Sequence, residues 1–194
     1  MKRFALIILF ILPFLILTVP GCGGGGGGGD GSGSTFPNTV LDGGFETGTP
    51  NSFWIELSTN YGTPICDVGS CGTGTGTGPY QGQYWAWFGG GNYEDGIDSQ
   101  NVTIMVGANT LRFYIELPAC ETGSWDWFEI TIDGNQVYFM DGNDPQCNSV
   151  GYQVRNVNIA AYADGGVHTI QFRGTNDSSN TTNFFVDNVQ LVCD

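Results

Sequence analysis

Trp85, Trp87, Arg112, Tyr114, Glu116, Trp127 and Glu129 are the residue types from which a sugar-binding platform is built. They fall in three stretches where alternate residues share a side: Trp85 with Trp87, Arg112 with Tyr114 and Glu116, and Trp127 with Glu129. The CH face of a pyranose stacks on aromatic rings, and its hydroxyls bond carboxylates and a guanidinium. If the three stretches are neighbours, their side chains form one patch. The same positions suit a second reading, in which long loops such as 56–80 or 141–152 cover one sheet face and the tryptophans pack beneath. Large aromatic residues are more often buried than functional, and Trp125 and Tyr152 have still less to place them.

Catalytic chemistry finds little to work with. The single histidine, His168, lies in an alternating stretch, where partial burial is the ordinary explanation. The chain has no Gly-Xaa-Ser-Xaa-Gly elbow and no His-Glu-Xaa-Xaa-His pair. Glu116 and Glu129 could imitate a glycosidase dyad, but solvated surface accounts for nearly all the acidic residues. The expectation is a binding protein and not an enzyme.

Charge narrows the partners. After Lys2 and Arg3 the only basic residues are Arg112, Arg155 and Arg173, against 19 acidic ones. Nucleic acid and anionic membrane surfaces are bound through Lys and Arg and are therefore poor partners. The balance fits a soluble extracellular setting.

The elements that must hold these residues are strands. Period-two alternation recurs, bounded by Gly, Asn, Asp and Pro, and no 3.6-residue period persists after the N-terminal segment. Over 110–117, Leu111, Phe113, Ile115 and Leu117 point one way and Arg112, Tyr114 and Glu116 the other. Over 127–133, Phe128, Ile130 and Ile132 oppose Trp127, Glu129 and Thr131, and the turn at 133–135 leads into a hairpin partner. Further strands are expected at 39–42, 82–89, 99–104, 153–159, 167–173 and 183–192. Eight or nine strands with one wet face per sheet predict an all-β, two-sheet antiparallel sandwich, with a jelly roll as the chosen topology.

Setting Cys22 aside, five cysteines remain, and in an exported protein they favour disulfides over zinc. Cys66 is expected to pair with Cys71, because the four residues between them can turn. Cys120 is expected to pair with Cys147, closing the loops on either side of a hairpin and contributing about 3 kcal/mol. Cys193 is left free or joins a different scheme.

The N-terminus reads as an address. Lys2 and Arg3 precede an uncharged run from Phe4 to Val19, which contains Pro13 and is short of the roughly 20 residues a spanning helix needs. Its close, Val19-Pro20-Gly21-Cys22, resembles the lipobox of bacterial lipoproteins; Pro20 departs from the common pattern. The resemblance implies a signal peptide over 1–21, diacylglycerol on Cys22 and, since residue 23 is Gly and not Asp, an outer-membrane, cell-surface destination. A Gly-rich linker over 22–36, which from Gly23 to Ser34 has no apolar side chain to bury, would act as a tether for a domain over 37–194.

Several segments together resemble the galactose-binding-like jelly rolls of bacterial surface proteins, a group with calcium-containing carbohydrate-binding modules and MAM-like domains. They are LDGGFETG at 41–48, FW at 53–54, GPYQGQYWAWFGG at 78–90, SQNVTI at 99–104, LRFYIEL at 111–117, GVHTIQFRGT at 166–175 and NFFVDNVQL at 183–191. The resemblance implies a structural calcium ion held by the carboxylates of Glu46 and Asp187 with the carbonyl of Gly44. Carboxylate and carbonyl oxygens suit that ion. It also implies a polysaccharide or a surface protein as partner, without choosing between them.

Overall fold

The computed structural model describes residues 39–193; the expected signal peptide, the lipidated Cys22 and the linker over 22–36 lie outside them. Ten strands are present: β1 Ile55–Ser58, β2 Ile65–Asp67, β3 Tyr84–Phe88, β4 Asp95–Thr103, β5 Thr110–Leu117, β6 Trp127–Ile132, β7 Asn135–Asp141, β8 Ser149–Asn158, β9 Val167–Thr175 and β10 Phe184–Val192. The first sheet has the order β1-β4-β9-β6-β7 and the second β2-β3-β10-β5-β8. The last eight strands pair outward from a central hairpin: β6 with β7, β5 with β8, β4 with β9 and β3 with β10, all antiparallel. That nesting is a jelly roll, and β1 and β2 each add an edge strand to it.

Alternation explains the sandwich. Leu111, Phe113, Ile115 and Leu117 of β5 and Phe128, Ile130 and Ile132 of β6 are fully buried, as are Ile170 and Phe172 of β9 and Phe184 and Val186 of β10. Phe128 sits at the centre, in ring contact with Phe88, Phe113, Tyr138, Phe172 and Phe184. Each such side chain contributes about 1.5–3 kcal/mol on leaving water. The β6–β7 turn places Asp133 and Gly134 at φ 51° and 77°, the primed geometry whose twist matches its strands.

Both expected disulfides form, Cys66–Cys71 and Cys120–Cys147. The first staples a single helical turn, α1 (Val68–Cys71), capped by the Asp67 carboxylate, which accepts the N–H groups of Gly69 and Ser70. Cys193 is also disulfide-bonded, so it is not a leftover thiol.

Residues 39–42 differ from expectation. They form no strand, because Asp42 turns into the left-handed region at φ 51°. The Gln100 side chain clasps Leu41 instead, accepting its N–H and donating to its carbonyl, both at 2.8 Å.

The sandwich has two poles. Thr39 Oγ1 donates to the carbonyl of Thr103 at the end of β4, and Val192 pairs with Thr110 at the start of β5, so both ends of the described chain leave at one pole. The loops 59–64, 89–94, 118–126, 142–148 and 176–183 gather at the other.

Candidate functional site

The fold divides the seven aromatic and charged residues between two outer faces. Trp85, Trp87, Arg112, Tyr114 and Glu116 stand on the second sheet, Trp127 and Glu129 on the first. They do not form a single patch.

The face of the second sheet is covered by the loop 72–83. Glu116, fully buried, accepts the Thr77 N–H at 3.2 Å, its hydroxyl at 2.6 Å and the Gly151 N–H at 2.9 Å. The Tyr80 ring stacks on Tyr114 with centroids 4.0 Å apart, and the Tyr152 hydroxyl donates to the Gly78 carbonyl at 2.7 Å. At Gly76 a Cβ would stand 2.5 Å from the Phe185 ring, so only glycine allows the loop to lie this close. Trp85 is wholly buried beneath it. Arg112 Nε donates to Asn156 at 2.8 Å. Trp87 is half-buried; its indole N–H donates to Asn183 at 3.0 Å. Trp87 lines a cleft of about 530 Å³ with Tyr61, Thr63, Asp67, Ser70 and Gly90.

The face of the first sheet is open. Trp127 of β6 stacks with Phe139 of β7, centroids 6.3 Å apart and planes 28° off parallel, and Phe139 is 48% exposed. The Arg173 guanidinium of β9 lies 5.3 Å from the centre of the Trp127 ring, in cation–π range. Its Nε and Nη2 fork onto the two oxygens of Asp95 on β4, both at 2.8 Å. Glu129 accepts from the Gln136 amide at 2.9 Å. On the edge strand β1, Ile55 and Leu57 extend the face with 65% and 56% exposure. Phe139, Arg173 and Asp95 escape a reading of the sequence alone: each stands on a different strand from Trp127, and only the strand order brings them to it.

Gly44, Glu46 and Asp187 do meet. A Cβ on Gly44 would lie 3.7 Å from Asp187 Oδ1 and 3.7 Å from Glu46 Cγ. Asp187 is fully buried and accepts three backbone N–H groups, from Tyr80, Gln81 and Asn188, at 2.8, 3.0 and 2.6 Å. Burial pushes its pKa up to about 7 against those hydrogen bonds, with the Glu46 charge adding to the rise. Glu46 accepts the N–H groups of Gln83 and Tyr84 at 3.0 and 3.1 Å. No basic side chain among the described residues bonds either carboxylate. A hard dication fits this oxygen-only donor set, since each carboxylate keeps lone pairs beyond its N–H contacts.

A second acidic group was not legible in the sequence. Glu121 and Asp126, in the loop after β5, meet Asp177 after β9 with carboxylate oxygens within 4.8 Å of one another. Asp126 is buried and accepts the N–H groups of Asp177 and Thr182 at 2.8 and 2.9 Å. The linear spacing of the three carries no signal. His168 lies at the opposite pole, its ring between Asp133 (2.7 Å) and Asp164 (3.0 Å), whose hydrogen bonds raise its pKa.

No family model and no curated protein matches the chain. Solved structures do. The chain superposes on TmCBM61, determined with β-1,4-galactotriose, with a TM-score of 0.54 and 18% identity over 82% of this chain and 100% of that one. A carbohydrate-binding module of the β-sandwich superfamily gives 0.51 and 11%, over 78% of this chain and 61% of that one. The K1 cleaved adhesin domain of Lys-gingipain from Porphyromonas gingivalis W83 gives 0.50 and 13%, over 78% and 96%. At these identities the likeness is one of fold.

Proposed function

We propose that the domain is a carbohydrate-binding module without catalytic activity, and that polysaccharide lies along the open face of the first sheet, centred on Trp127. The observation that carries this reading is the outward-facing group of exposed Phe139 with half-buried Trp127, Arg173, Asp95 and Glu129. Two rings accept the CH faces of pyranose units, and the guanidinium and carboxylates beside them bond ring hydroxyls in both directions. An open sheet face has no end wall, so it suits internal units of a chain. The cleft at Trp87 and Tyr61 is more enclosed and suits a terminal unit.

Calcium at Glu46, Asp187 and the Gly44 carbonyl would be structural, fastening the opening segment to β10 and holding the Tyr80–Tyr84 loop that both carboxylates already grip. The lipid on Cys22 would place the domain at the outer-membrane surface, and the tether would present the pole opposite the chain ends. A thioether-linked Cys22 cannot share a disulfide, and Cys193 has one. The mass of the N-terminal fragment before and after reduction therefore tests the anchor. A diacylglyceryl increment that survives reduction supports it; a bond to the fragment carrying Cys193 removes it.

Exposed Ile55 and Leu57 favour a second reading, a protein partner seated on the same face. A glycan array with the mature chain, Trp127→Ala and Trp87→Ala separates them. Trp127→Ala is expected to weaken glycan binding at least tenfold, about 1.4 kcal/mol, while Trp87→Ala retains it. Loss in Trp87→Ala alone would move the site to the cleft. A folded chain that binds no glycan would move the function to protein adhesion.

A further inference from the structure

We propose that Asp98 and Glu56 hold a divalent cation of the calcium class between the sheets, at a site separate from Glu46 and Asp187. Strand register puts the two residues opposite each other, Glu56 on β1 and Asp98 on β4. Both project inward, since Ile55 and Leu57 take the outward positions of β1. Asp98 has no exposed surface, and neither of its oxygens has a hydrogen-bond partner.

That separates it from the other buried acids. Asp187 is met by three N–H groups, Asp126 by two, and Glu116 by two N–H groups and a hydroxyl. Among the described residues Asp98 is the one carboxylate with both oxygens buried and unmet. An ionised carboxylate left this way has lost its hydration with nothing in return. Protonation alone does not resolve the difficulty, because the second oxygen would still be buried without a donor. Burial, and then the Glu56 charge, hold Asp98 well above the usual carboxylate range.

A cation meets the requirement of both groups. Glu56 is fixed by the Asn51 N–H and the Thr63 hydroxyl, one on each oxygen, and keeps lone pairs for a further bond. The donors are carboxylate oxygens, which select calcium or magnesium over the softer metals, with water completing the shell. Arg173 on the neighbouring strand cannot serve, because it pairs with Ile97 on the outer face and is forked onto Asp95. The ion would bind β1, a four-residue edge strand, to β4, and so hold Leu57 in the open face.

The test is calcium titration of the chelator-stripped mature chain by calorimetry, with melting temperatures in calcium and in EGTA. Asp98→Asn and Glu56→Gln are each expected to bind one calcium fewer than the wild type and to lose part of the calcium-dependent rise in melting temperature. Asp187→Asn should leave that ion in place. Unchanged stoichiometry in both Asp98→Asn and Glu56→Gln, with Asp98→Asn more stable than the wild type in EGTA, would overturn the proposal in favour of a neutral acid on a buried water. A wild type that binds no calcium would overturn it equally.

Discussion

Asp187 gives the domain a pH signature that can be worked out in sign. Its folded pKa is about 7, above the ordinary 3.8, chiefly through burial. The folded state therefore holds this proton more tightly than the unfolded chain, and the resulting stability is present at about pH 4 and lost as pH rises through 7. Melting temperatures of the metal-free chain should fall between pH 4.5 and 8, and Asp187→Asn should flatten the fall. His168 acts in the same direction. Its pKa is raised by Asp133 and Asp164, so its contribution is present below about 6.5 and lost as pH passes its folded value. Proton NMR should show His168 titrating above 6.5, and Asp133→Asn should bring it down. The tryptophans show where single residues stop being legible. Trp85 and Trp127 follow the same alternation beside the same kinds of neighbours, yet one is sealed and the other only half-buried. What differs is the loop above them, which leaves no mark on the strand itself.

Among the elements, the loop 72–83 is held down by polar groups as much as by apolar ones. Glu116 anchors both it and the backbone at Gly151. Glu116→Ala removes the acceptor of three hydrogen bonds at a buried site and should destabilise the fold by about 2–4 kcal/mol. In acrylamide quenching, Trp85 should become accessible in that variant while Trp127 is unchanged. Strands with long alternation, β5, β6, β9 and β10, were readable because each repeats its period at least three times. Strands β1 and β2 were not, since four and three residues hold too little period to stand out. Residues 39–42, with Val40 and Leu41 side by side, are too few to carry a period, and the left-handed turn at Asp42 takes the backbone off the sheet.

At the scale of the molecule, periodicity gives strands and no order, because pairing joins residues up to about a hundred positions apart: β3 with β10. Two contacts crossed that gap. The Cys120–Cys147 pairing was legible because it brackets the β6–β7 hairpin, and the segments resembling galactose-binding-like jelly rolls carried Glu46 and Asp187 together. Breaking the bracket with Cys120→Ser and Cys147→Ser frees a 27-residue separation and should cost about 3–4 kcal/mol, lowering the melting temperature by about 10 °C. A calorimetric scan reads it directly.

The placement of the chain ends also decides how the domain answers to force. A pull arriving at residue 39 meets the Thr39–Thr103 bond first, then the Gln100 clasp on Leu41, then the Val189 N–H held by the Gly43 carbonyl. These contacts succeed one another from the pole inward along β4 and β10, so a tug directed out of that pole shears them together and does not peel them singly. A ligand gripped near Trp127, at the start of β6, would draw from the opposite pole and load β4 and β9 lengthwise, across a ladder nine residues long. In flowing water the grip on the ligand should slip before the sandwich opens.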